Sequence, residues 1–150
     1  MNLYIDGDAL PNLLKPILLR AVIRLALLTF VVANKYVTIG KSKYITNIIV
    51  NVGADEADHR IVELVKKGDL VITADIPLAD RIVSKQAYAI DFRGKLFNAN
   101  NIKQDLSVRN LMQEIRDHGI ITGGPAPLSQ KDAHKFANQV DHFLTRQRLK

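Results

Sequence analysis

Apolar and polar positions follow two alternating rhythms along the chain: short unbroken apolar runs, and longer stretches repeating every three or four residues. The first run, Leu3, Tyr4 and Ile5, suits a strand covered on both faces, and it stops at Asp6 and Asp8 with Gly7 between them. Leu10-Pro11-Asn12 predicts a turn. Leu14, Leu18, Ala21, Val22 and Leu25 then recur at helical spacing, with Pro16 in the first turn, where a missing N–H costs little. Residues 29–33 predict a buried second strand ended by Asn34, residues 35–46 a loop, and residues 47–52 a third strand broken by Gly53. The helix that follows carries Asp55 at its cap position, Asp58 three residues on as in a capping box, and Lys66-Lys67-Gly68 as its end. Residues 69–73 predict a fourth strand, 78–86 a helix, 87–90 a fifth strand, and 91–94 a turn. A long helix over 100–118 is read with Ile102, Leu106, Leu111 and Ile115 facing inward. A glycine- and proline-rich loop spans 120–128, and Ser129 with Asp132 opens a final helix to about residue 146. The alternation predicts an α/β fold: one domain over residues 1–150, a three-layer sandwich with a mostly parallel sheet of about five strands flanked by helices. The helical segment near 98–147 packs on it.

Right-handed crossovers place the carboxyl ends of parallel strands on one edge, where open α/β sheets bind ligands. Asp6 and Asp8 arrive there from the first strand, Asp75 from the fourth, and Asp55 and Asp58 from the helix after the third. They converge if the first and fourth strands are neighbours. Carboxylates crowded without a lysine or arginine repel one another and raise each other's pKa, a cost relieved by a divalent cation. Oxygen ligands without a histidine or cysteine cluster point to Mg²⁺ or Mn²⁺, ions suited to in-line attack on a phosphodiester. Each acid also has an ordinary reading: Asp55 as a helix cap, Asp8 bonded within its own turn, Asp69 and Asp80 as surface or capping residues. Asp58 is harder to explain away, because the third helical position points its side chain back over the strand ends. His59, alone on a helix, reads as a surface or packing residue.

Composition alters this picture in few places. The net charge of +6 favours polyanionic partners without selecting one. Lys35, Lys41 and Lys43 interleave with Tyr36 and Tyr44 on what reads as a mobile loop; beside Asn34 they could hold phosphates and stack a base, or simply form a surface loop. Arg20 and Arg24 fit either a solvated flank or a phosphate stripe. The most apolar stretch, residues 17–32, is interrupted by those two arginines and is too short and too charged to span a bilayer. The absence of cysteine and of a signal-like amino terminus leads to the expectation of a cytoplasmic protein without disulfides.

Asp6-Gly7-Asp8-Ala9-Leu10-Pro11 resembles the D-A-D-A-C-P opening of the bacterial YaiI/YqxD family, placed with the PIN-like nucleases. The resemblance continues through Val32-Ala33-Asn34, Ala57-Asp58, Gly68-Asp69, Thr73-Ala74-Asp75-Ile76-Pro77-Leu78-Ala79, Arg93-Gly94, Asn101-Ile102, Thr122-Gly123-Gly124-Pro125, Asp132 and Phe136, and so covers nearly the whole chain. It implies a PIN-like fold and an acidic metal pocket of Asp6, Asp58 and Asp75, with Asp8 matching the motif in no assigned role. Gly7 stands for alanine and Leu10 for cysteine, which removes any thiol chemistry at that position. Arg93 and the Thr122–Pro125 loop match motifs that ordinary PIN domains lack; Arg93 either contacts a substrate phosphate or ties down its turn through a carboxylate such as Asp91. The expected function is a Mg²⁺- or Mn²⁺-dependent nuclease acting on RNA, with Asp8 orienting water. The alternatives are a non-catalytic RNA-binding or regulatory module using the lysine and tyrosine loop, and a phosphatase with Asp6 as nucleophile.

Overall fold

The computed structural model describes residues 1–53, 55–120 and 126–148. Six strands, β1 (Leu3–Asp6), β2 (Thr29–Ala33), β3 (Ile45–Ile49), β4 (Leu70–Ile72), β5 (Tyr88–Ile90) and β6 (Leu96–Phe97), form one sheet in the order β3-β2-β1-β4-β5-β6. The first five pair in parallel; β6 joins antiparallel. The sheet thus has one strand more than the pattern predicts, because two residues are too few to show a periodicity. β1 lies between β2 and β4, so the chain reverses its direction of winding there and opens a crevice at the strand carboxyl ends.

Alternate residues of each strand divide between two cores. Leu3, Ile5, Val31, Ala33, Leu70 and Ile72 face one side, with Leu18 and Val22 of α1 (Lys15–Leu25) and Phe136, Val140 and Phe143 of α5 (Gln130–Arg148). Tyr4, Val32 and Val71 face the other, with Ile61 of α2 (Glu56–Leu64), Leu78 and Ile82 of α3 (Ile76–Ser84) and Ile102 of α4 (Ala99–Asp117). Three layers result, each buried leucine or isoleucine contributing about 1.5–3 kcal/mol.

Four local features differ from the sequence reading. β3 starts and stops earlier than 47–52. α2 ends at Leu64 instead of continuing through Lys66-Lys67-Gly68: Val65 turns extended and is buried, while Asp69 accepts the N–H groups of Lys66 and Asn2 at 2.8 and 2.9 Å. Asp69 is therefore a buried fastener and not a surface acid. Residues 35–44 form no helix or strand but are not wholly at the surface, since Val37 and Ile39 insert into the core between the exposed Lys35 and Lys41. Finally, α4 buries Ile102 and half-buries Leu106, but Leu111 is 56% exposed and Val108 and Met112 share its exposed stretch. The Thr122–Pro125 motif lies outside the described residues.

Among the described residues, no helix is long and apolar enough to cross a membrane.

Candidate functional site

β1 does not stop at its first aspartate by losing its partner: the Gly7 N–H still bonds Val32 C=O at 2.9 Å. β2 is close here: a Cβ at this position would meet Val31 Cγ1 at 2.9 Å and Ala33 Cβ at 3.2 Å, so the alanine of the family motif would make the Val31 side chain shift. Past this contact Asp8 accepts the Asn34 N–H on both carboxylate oxygens, at 3.1 and 3.0 Å, binding the end of β1 to the end of β2. Asp8 thus serves a neighbouring strand and not its own turn.

Beyond β4, the Thr73 hydroxyl accepts the Asp75 N–H and donates to Asp6 Oδ2, both at 3.0 Å. Asp75 Oδ1 caps α3 by accepting the Leu78 N–H at 2.9 Å. One buried threonine therefore sets the spacing of two acids from adjacent strands. Asp6 itself is only 8% exposed, and burial raises its carboxyl pKa, with Thr73 opposing and the charges of Asp75 and Asp8 adding.

The third contributor is α2. Asp55 occupies the cap position, but its backbone is left-handed (φ 65°) and its side chain caps nothing, contrary to the expected capping box. Its carboxylate instead joins the acids: one oxygen each from Asp55, Asp58 and Asp75 lies within 4.8 Å of the others. Asp58 is half-buried at the third position of α2. Burial first, then the charges of Asp75 and Asp6 and a hydrogen bond with Asp75, push its carboxyl up to about 7. Asp6 and Asp8 line the same hollow of about 200 Å³, with Asn34 and Asn51 at its margin and no lysine, arginine or histidine among its described lining residues.

The predicted acids therefore share one crevice, with a different division from the one expected. Asp58 and Asp75 bring carboxylate oxygens together with Asp55, and Asp6, bonded to Thr73, lines the same hollow. All donors are carboxylate oxygens, the set that a hard divalent cation prefers, so the residues fit Mg²⁺ or Mn²⁺. Sequence reasoning missed Thr73, which lay in the Thr73-Ala74-Asp75 motif but carried no charge to draw notice, and brought Asp55 to this edge without counting it among the metal ligands.

Of the other sequence candidates, only Asn34 meets the acids among the described residues. Asn34 borders the crevice while its N–H is held by Asp8. Lys41 and Lys43 line a separate hollow of about 470 Å³ with Tyr36, and Lys35 is exposed without lining either. Arg93 Nη1 donates to Asp132 Oδ2 at 2.6 Å and its Nη2 to the Ala126 carbonyl. It fastens the β5–β6 turn to the start of α5, through Asp132 and not Asp91, whose carboxylate accepts the N–H groups of Arg93 and Lys95. His59 is exposed, with Nδ1 facing Arg81 Nη1 at 3.1 Å; arginine can only donate, so Nδ1 is the acceptor.

The family described as "Uncharacterized BCR, YaiI/YqxD family" matches residues 4–146. A "UPF0178 protein" of Sulfurimonas denitrificans is 63% identical over 150 residues, covering 100% of this chain and 99% of its own. Another from Sulfurovum sp. is 63% identical over 146 residues, 97% of this chain and 99% of its own. A third from Shewanella amazonensis is 47% identical over 146 residues, 97% and 98% of the two chains. No solved structure matches.

Proposed function

Since this chain belongs to the YaiI/YqxD family, whose description carries no reaction, its activity has to be argued from the crevice, and we propose that it is a divalent-metal-dependent nuclease acting on RNA. The observation that carries the reading is the meeting of Asp55, Asp58 and Asp75 within 4.8 Å at the carboxyl ends of parallel strands, with no cationic side chain lining the hollow among the described residues. In this reading those three hold Mg²⁺ or Mn²⁺, which supplies charge neutralisation at a phosphoryl group and an acidified water. Thr73 keeps Asp6 and Asp75 at a fixed separation. Asp8, bonded to the Asn34 N–H, retains lone pairs with which to orient water at the mouth of the crevice. The resemblance to PIN-like nucleases supports the same assignment. Burial and the Thr73 bond of Asp6 argue against the phosphatase alternative, which needs an approachable nucleophile.

Calorimetry with Mn²⁺ and cleavage of single-stranded and structured RNAs test this together. The wild type binds Mn²⁺ and cuts RNA, while Asp58→Asn and Asp75→Asn lose both with the fold retained. A wild type that neither binds Mn²⁺ nor cuts removes the proposal, and RNA binding without cleavage or metal binding would leave the non-catalytic module in its place.

A further inference from the structure

The two edges of the sheet differ in kind. β6 is two residues long and preceded by Lys95, whose ammonium reaches Asp105 at 2.5 Å; short, charged edges resist pairing. β3 is five residues long and carries no charge within the strand. From Tyr44 to Val52 there is no charge, proline or glycine, and five of nine residues are isoleucine or valine, the composition that pairs edge to edge. Its backbone is also free to pair. The Tyr44 carbonyl accepts from Thr29 and the Val50 N–H donates to Ala33, each at 2.9 Å, so even-numbered residues face β2. Alternation then turns the N–H and C=O of Asn47 and Ile49 outward, and no described residue bonds them. Ile49 is 60% exposed and Val52 85%.

We propose that β3 is the interface of a homodimer, pairing antiparallel with β3 of a second copy about a twofold axis at Asn47. Charge selects both the occupant and the direction. Lys41 and Lys43 precede the strand, while Asp55 and Glu56 follow it. The twofold sets Ile45 against Ile49, and beyond that ladder it brings the turn that carries Lys43, with Lys41 just before it, toward Asn51 and Gly53 of the other copy. Each copy's basic end thereby meets the other's acidic end, whereas a parallel pairing would bring lysine to lysine. The two six-stranded sheets join edge to edge, and the helices on both faces stay in place. The lysines that one copy holds in a hollow apart from its own acids come to flank the acid crevice of the other. This interface stands or falls independently of any nuclease activity.

Light scattering on the full chain in solution tests it. The wild type has twice the 16.8 kDa chain mass at micromolar concentration, and Asn47→Pro and Ile49→Lys each return it to the single-chain value. Proline is tolerated at position 47 because its N–H is unused within the chain's own sheet, and Ile49 already points into solvent. Circular dichroism checks that both variants remain folded; if Asn47→Pro does not, Ile49→Lys decides alone. A monomeric wild type overturns the proposal. So does a dimer that survives Ile49→Lys, including one broken instead by Leu111→Glu on the exposed side of α4.

Discussion

Thr73 has a single use for its hydroxyl proton. Because the oxygen already accepts the Asp75 N–H, the proton is directed to Asp6, and two carboxylates from neighbouring strands are fixed by one side chain. Thr73→Val keeps the shape and leaves both partners unsatisfied at a buried position, so it should cost about 1–3 kcal/mol in denaturant unfolding, most of it recovered by Thr73→Ser. Asp58 gives a second residue-level expectation, in its pH dependence. Its carboxyl lies at about 7 in the folded chain against an ordinary 3.8, so the folded state holds the proton more tightly. That contribution to stability is complete below about 3.8 and is lost as pH rises through about 7; Asp6, raised by burial, acts in the same direction. The melting temperature of the metal-free protein should therefore fall between about pH 5 and pH 8, and Asp58→Asn should flatten the fall. Added Mn²⁺ should raise the melting temperature more at the upper end of that range, since the cation replaces a proton. That Asp6 and Asp55 reach one edge was legible in the sequence, but what holds them there was not. The left-handed backbone at Asp55 and the Thr73 bond to Asp6 leave no periodic or charged signal.

At the scale of elements, the strands were legible because burial on both faces makes them unbroken apolar runs, and β2 runs over residues 29–33 as read. α4 was misread although the spacing contained the answer. Ile102 and Leu111 are nine residues apart, which at 100° per residue is half a turn round the helix, so they cannot share a face. The structure buries Ile102 at 1% exposure and leaves Leu111 at 56%. Ile102→Ala should accordingly cost about 2–5 kcal/mol, while Leu111→Ala changes stability by no more than about 0.5 kcal/mol. Equal costs in urea unfolding would mean that the second half of α4 is covered after all. Another close approach fixes α5: Gly94 has φ +92°, and a Cβ there would meet the Lys135 carbonyl oxygen at 2.9 Å. Gly94→Ala should cost about 1–3 kcal/mol, because the added carbon meets backbone that α5 cannot move without shifting Phe136.

Over the whole molecule, a chain with a net charge of +6 carries a crevice lined by carboxylates. A polyanion would be drawn to the first and repelled by the second unless a cation sits in the crevice, so the two features agree only if binding and chemistry are separate tasks of one surface. The structure separates them spatially: Lys41 and Lys43 line a hollow with Tyr36, and no lysine lines the acid crevice among the described residues. Under the nuclease reading, replacing both lysines by alanine should weaken RNA binding and flatten its dependence on salt. Two lost phosphate contacts on a single strand lower the slope of log affinity against log salt by about 1.4. Mn²⁺ affinity should stay unchanged, because neither lysine touches Asp55, Asp58 or Asp75. Asp58→Asn should do the reverse, abolishing Mn²⁺ binding with the salt slope intact. Fluorescence anisotropy over a salt series, paired with calorimetry on the same five proteins (wild type, each single lysine variant, the double lysine variant and Asp58→Asn), separates the outcomes. If the lysine variants bind RNA as the wild type does, the net charge acts from elsewhere on the surface, and Arg20, exposed on α1, is the next position to replace.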